Sequence, residues 1–162
     1  MRARFFILLC LLLGSFGPYG GLHAKPVIES EPGATSYARH LEEQTEEYAK
    51  EIFGGLGISE IPDFRVVVAR DSESMRERAL KEQGGVPPEW ADGLAYPSRR
   101  VIYVHGWGPF SKLDVTYRHE LSHLAMGVLD PGNVAPRWFG EGVAVWQSET
   151  FSYERAWLLT EA

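Results

Sequence analysis

Apolar residues recur at helical spacing most clearly between Leu113 and Leu129, where Leu113, Tyr117, Leu121, Leu124 and Val128 fall along one face. A helix beginning near Ser111 is predicted there. A second helix is predicted from Tyr37 to Phe53, with Ser36 as its cap, Tyr37, Leu41, Tyr48, Ile52 and Phe53 on or near one face, and Gly54-Gly55-Leu56-Gly57 as its stop. Phe64 to Ala69 and Arg100 to His105 are β-branched runs and read as strands. Between them, Asp71 or Ser72 opens a helix that ends near Gln83, before Gly84-Gly85 and Pro87-Pro88. Trp90 to Tyr96 reads as loop or irregular strand, and Gly106-Trp107-Gly108-Pro109 turns the chain into the Leu113 helix. After it, Asp130-Pro131-Gly132-Asn133 supplies a turn and Pro136 precedes a last helical run. This order predicts an α+β domain with a small sheet packed on helices.

The start of the chain changes the picture. Arg2 and Arg4, the apolar run Phe5 to Leu13 and the small residues from Gly14 to Ala24 have the layout of a signal peptide over residues 1–24. Export to the periplasm or the cell exterior is therefore expected, and membrane contact only if the segment stays uncleaved. Cys10 falls inside the apolar run and is the only cysteine, so the exported chain would hold itself by packing and by its metal. Residues 25–36 are rich in Pro, Gly and Ser and read as a leader to a domain over 37–162. Losing Arg2 and Arg4 takes the basic count from 16 to 14 against 22 acidic residues, a formal charge of −8. That excess of acid argues against nucleic acid and anionic membrane surfaces as partners.

The candidate chemistry lies in the Leu113 helix. His119 and His123 stand four residues apart, so both imidazoles project from one face and can close on one ion. Glu120 beside them suits a carboxylate that is not a ligand but holds and deprotonates a water at the metal. Catalytic zinc takes three protein ligands and keeps one position open. Glu141 can be the third, because the 17 residues after His123 let the chain leave one helix, turn and enter a second.

At these residues, His119-Glu120-Leu121-Ser122-His123 and Pro136-Arg137-Trp138-Phe139-Gly140-Glu141-Gly142-Val143-Ala144, the chain resembles the gluzincin metallopeptidases, most closely the peptidase MA-like domains. The second block is similar to that group's Trp-x-x-Glu-Gly-x-Ala signature. The resemblance covers about Ala95 to Glu149. It implies a zincin-like fold with Zn2+ held by His119, His123 and Glu141, a catalytic Glu120, and peptide or protein substrates. It also implies that the strand Arg100 to His105 precedes the zinc helix, borders the cleft and pairs with an extended peptide along its free edge. No Gly-Ala-Met-Glu-Asn exopeptidase motif occurs upstream, which favours an endopeptidase.

Two features depart from the larger members of that group. The chain ends 21 residues after Glu141, within Leu158-Leu159-Thr160-Glu161-Ala162, which reads as helix and predicts a domain truncated at its C-terminus. Tyr153 is the preferred group for stabilising an oxyanion, with Arg137, Tyr117 and His105 as the other choices. Some gluzincins place an Asp four residues after the ligand Glu; here that residue is Val145, leaving Asp114, Glu149 or a backbone carbonyl to orient the ligand histidines. The alternative to an enzyme is a non-catalytic zinc-binding or scaffold module of the cell envelope. A closed structural site would need a fourth ligand, His105 or His40. His40 itself, among Glu42, Glu43, Glu46 and Glu47, reads as a surface residue.

Overall fold

The computed structural model describes residues 26–148. The signal segment, Glu149 and Tyr153 lie outside the described residues. Four helices and a mixed four-stranded sheet make up an α+β fold, in the order β1 (Val27–Ser30), α1 (Thr35–Gly55), β2 (Arg65–Ala69), α2 (Ser72–Gln83), β3 (Gly93–Tyr96), β4 (Val101–His105), α3 (Phe110–Leu129) and α4 (Arg137–Gln147). Across the sheet the strands run β1-β2-β4-β3, with β1, β2 and β4 parallel and β3 antiparallel to β4. Among the described residues no helix is long and apolar enough to cross a membrane.

The continuous apolar character of β2 and β4 reflects burial on both faces, since every residue of β4 and all but Arg65 of β2 is buried. Alternation divides them between two cores. Val66, Val68, Ile102 and Val104 pack with α1 and α3, whose Leu41, Ile52, Phe53, Tyr117 and Leu121 complete the larger cluster. Val67, Ala69, Val101 and Tyr103 face α2 through Met75 and Ala79.

Three expectations are corrected. Residues 25–36 are not merely a leader: Val27 to Ser30 add a parallel strand beside β2, in register from Val27↔Arg65 to Ser30↔Val68. Helix α1 then begins at Thr35, earlier than predicted, and Ser36 does not cap it. The cause is the tight turn after β1, where Gly33 takes φ 95° and the Ala34 N–H bonds the Glu31 carbonyl, so the helix starts as soon as the turn closes. Finally, β4 has no free edge. It lies between β2 and β3, and β3, from the stretch read as loop or irregular strand, takes the outer position.

The α2 boundaries agree with expectation for the expected reason. Asp71 accepts the Ser74 N–H at 2.8 Å in a capping box, and Gly84 ends the helix at φ 72°.

Candidate metal centre

Helix α3 lays Leu113, Tyr117, Leu121 and Leu124 into the larger core, which turns His119 and His123 toward α4. The connection between the helices is shaped by Asp130, whose Oδ2 accepts the Ala135 N–H at 2.7 Å, and by Asn133 at φ 51°. Pro136 is the N-cap of α4, so Glu141 falls in its second turn.

Helix α4 is held against α1 and α3 by a polar network that is buried except for Glu51. The Arg118 guanidinium forms two 2.8 Å bonds to the Glu51 carboxylate and donates to the Gln147 carbonyl at 3.0 Å. The Gln147 side chain donates to the Ile52 carbonyl at 2.9 Å and accepts from Ser122 at 2.6 Å. Arg118 also lies over the Tyr48 ring. Sequence reasoning missed this network. The one available signal was a charged residue, Arg118, directly before the first ligand histidine on a helix whose neighbouring residues are core.

These contacts bring His119, His123 and Glu141 together. The two Nε2 atoms are 3.1 Å apart, and each is 3.5 Å from Glu141 Oε2. Donors 2.0–2.1 Å from a tetrahedral zinc stand roughly 3.3–3.5 Å from one another, so this triangle has the size of a zinc site. Burial lowers the pKa of both histidines, the effect on His123 being deepened by His119 and on both opposed by Glu141. Neutral imidazoles with a free lone pair are what a cation requires.

Glu120 is 8% exposed and is tucked beneath the edge strand. A Cβ on Gly93 would stand 2.7 Å from Glu120 Cγ and 2.9 Å from Thr116 Cγ2, so a glycine is needed for β3 to pass this closely. Burial pushes the Glu120 carboxyl up to about 8, the charge of Glu141 adds to the rise, and a hydrogen bond from the Ala95 N–H opposes it. A divalent cation between the ligands would pull it back down.

The other candidates are elsewhere. His105 lies on the α2 face of β4, buried, with Nε2 3.5 Å from Asp92 Oδ1; burial lowers its pKa. His40 is not a solvated surface residue: it stacks on Phe110 and bonds Asp114 at 2.7 Å. Asp114, engaged there, is not the partner of a ligand histidine. Tyr117 is fully buried in the larger core. Of the alternatives to Tyr153 as an electrophile, Arg137 alone reaches the site, with Nε 3.5 Å from Glu141 Oε1. Among the described residues, the group of side chains able to share one ion is His119, His123 and Glu141.

No family model, curated protein or solved structure matches this chain.

Proposed function

We propose that this chain is a zinc-dependent metallopeptidase with a zincin-like domain, exported by its N-terminal segment. The observation that carries the proposal is the donor triangle of His119, His123 and Glu141 beside a buried carboxylate, Glu120. Two neutral imidazoles and one carboxylate fit zinc by donor type and by separation. When bound, zinc supplies a Lewis acid for the peptide carbonyl and activates a water for attack.

The chain's own residues do the rest. Glu120 takes the proton of the attacking water and later gives it to the leaving amine. Gly93 and the Ala95 N–H fix where the carboxyl sits. The outer edge of β3, rather than β4, is the strand against which an extended peptide would align, because Glu120 lies under it.

Replacing Glu120→Gln keeps the shape and removes the base. Hydrolysis of a peptide library, read by mass spectrometry, should fall by at least ~10²-fold while zinc content stays unchanged. A Gln variant that cleaves as fast as the parent would show that Glu120 is not the base.

A further inference from the structure

The ligands open onto a cleft of about 900 Å³ that runs from His123 and Glu141 along the last turns of α3, past Met126 and Gly127, to Pro97 and Arg100. Two arginines line it. Arg137 leads α4, with an 83% exposed side chain and Nε 3.5 Å from Glu141 Oε1, the oxygen that faces away from the histidines. Arg100 follows the turn Pro97–Arg99 in a left-handed conformation, φ 52° and ψ 47°, and is exposed. That conformation costs a residue with a Cβ roughly 1–2 kcal/mol and suits Gly or Asn, so the backbone gives no reason for an arginine there. Among the described residues the Arg100 side chain makes no ion pair.

Three carboxylates line the same cleft and keep their charge. The Asp130 carboxylate accepts backbone N–H groups of Ala135 and Val134, which lower its pKa, and Glu141 serves the metal. Glu60 is the remaining acid. Two arginines against three carboxylates leave the cleft one negative charge, and a divalent ion turns this into one positive charge in a chain whose formal charge is −6.

We infer that this cleft recognises a carboxylate on the substrate peptide, next to the bond cleaved, through Arg137 and Arg100. The inference rests on the peptidase reading of the same site and names its substrate class. Guanidinium groups pair with carboxylates through two parallel N–H bonds, and a metal-bearing wall adds attraction over a longer range. Arg137, one carboxylate away from the metal position, is the nearer of the two to the reacting bond, and Arg100 lines the same cleft. The carboxylate is either an acidic side chain or a free C-terminus.

The test uses the zinc-loaded full chain and four peptides of one sequence: Glu or Gln beside the target bond, each with a free or an amidated C-terminus. The Glu or the free-acid peptide should be cleaved with a kcat/KM at least ~10-fold above its neutral counterpart, and added salt should shrink the gap. Whichever of the two carries the advantage identifies the source of the carboxylate. In R137E and R100E the preference should reverse toward a peptide with Lys at the same place. Calorimetric binding of the four peptides to zinc-loaded E120Q provides a readout that does not depend on turnover. Acidic preference in binding without any cleavage by the parent would keep the carboxylate site and sink the peptidase reading. Cleavage or binding that is equal within twofold across the four peptides, with both arginine variants folded by circular dichroism, would overturn the inference. Absence of both binding and cleavage would overturn both readings.

Discussion

On one face of the sheet, Val66, Val68, Ile102 and Val104 meet α1 and α3 in a core that includes Leu41, Phe53, Tyr117 and Leu121. On the other, Val67, Ala69, Val101 and Tyr103 meet α2 across a smaller cluster, and much of the contact is ionic. There Arg65 pairs with Glu29 and Glu82, Arg78 pairs with the same two carboxylates, and Tyr103 donates to Glu82. The two faces also differ in where their polar groups sit. On the α2 face the charges ring the apolar cluster and keep partial access to water. On the α3 face Arg118, Ser122 and Gln147 are buried, with Glu51 at the surface, and tie three helices together behind the candidate ligands. Buried and mutually satisfied groups fix a geometry; partly solvated pairs contribute a modest, pH-dependent share of stability. The candidate site lies on the face whose geometry is fixed.

Breaking the buried network should have the largest effect. Arg118→Ala leaves the Gln147 carbonyl short of donors and removes the tie from α4 to Glu51, so stability should fall by about 2–4 kcal/mol in urea denaturation. Zinc affinity should fall with it, because Glu141 rides on α4. A loss of stability with unchanged zinc affinity would show that α4 is held by other means.

Gly93→Ala tests the seam between the edge strand and α3. The added methyl meets Glu120 Cγ and Thr116 Cγ2, and overpacking of this kind costs about 1–3 kcal/mol. Zinc content should be kept while hydrolysis drops by roughly tenfold or more, as Glu120 is displaced from its seat. Full activity would mean that Glu120 does not need that seat.

The α2 face should give the smallest change, and one that depends on pH. Burial opposes ionisation of Glu82, but hydrogen bonds from Arg78, Arg65 and Tyr103 outweigh it and hold its carboxyl at about 2 in the fold, against an ordinary 4.5. A depressed pKa contributes stability that is fully present above about pH 4.5 and is lost as pH falls toward 2. Glu82→Gln should therefore cost about 1–2 kcal/mol at pH 7, allowing for its partial exposure, and almost nothing near pH 2. A penalty that stays constant over that range would assign the loss to packing.

How far the sequence could be read follows the same division. Helix α3, the turn at Asp130 to Asn133 and helix α4 were legible because periodicity, Pro and Gly act locally. Strands β2 and β4 were legible as buried β-branched runs. Strand β1 was not, since four half-exposed residues between Pro26 and a Pro-Gly turn become a strand only by pairing with residues 38 positions later. The strand order was not legible either, and the free edge expected of β4 belongs to β3, whose Gly93-Leu94-Ala95-Tyr96 carries little strand signal of its own. Of the candidate site, the nearness of His119, His123 and Glu141, with Glu120 beside them, was readable from spacing and resemblance. The network that positions them was not, because Arg118, Glu51 and Gln147 are brought together only by the fold.

Metal content tests a metal centre at His119, His123 and Glu141 most directly. Protein dialysed against trace zinc and analysed by inductively coupled plasma mass spectrometry should hold about one zinc per chain, and His119→Ala, His123→Ala and Glu141→Ala should each lose it. Stoichiometric zinc surviving in all three variants, or no zinc in the parent, would contradict a metal centre at these residues.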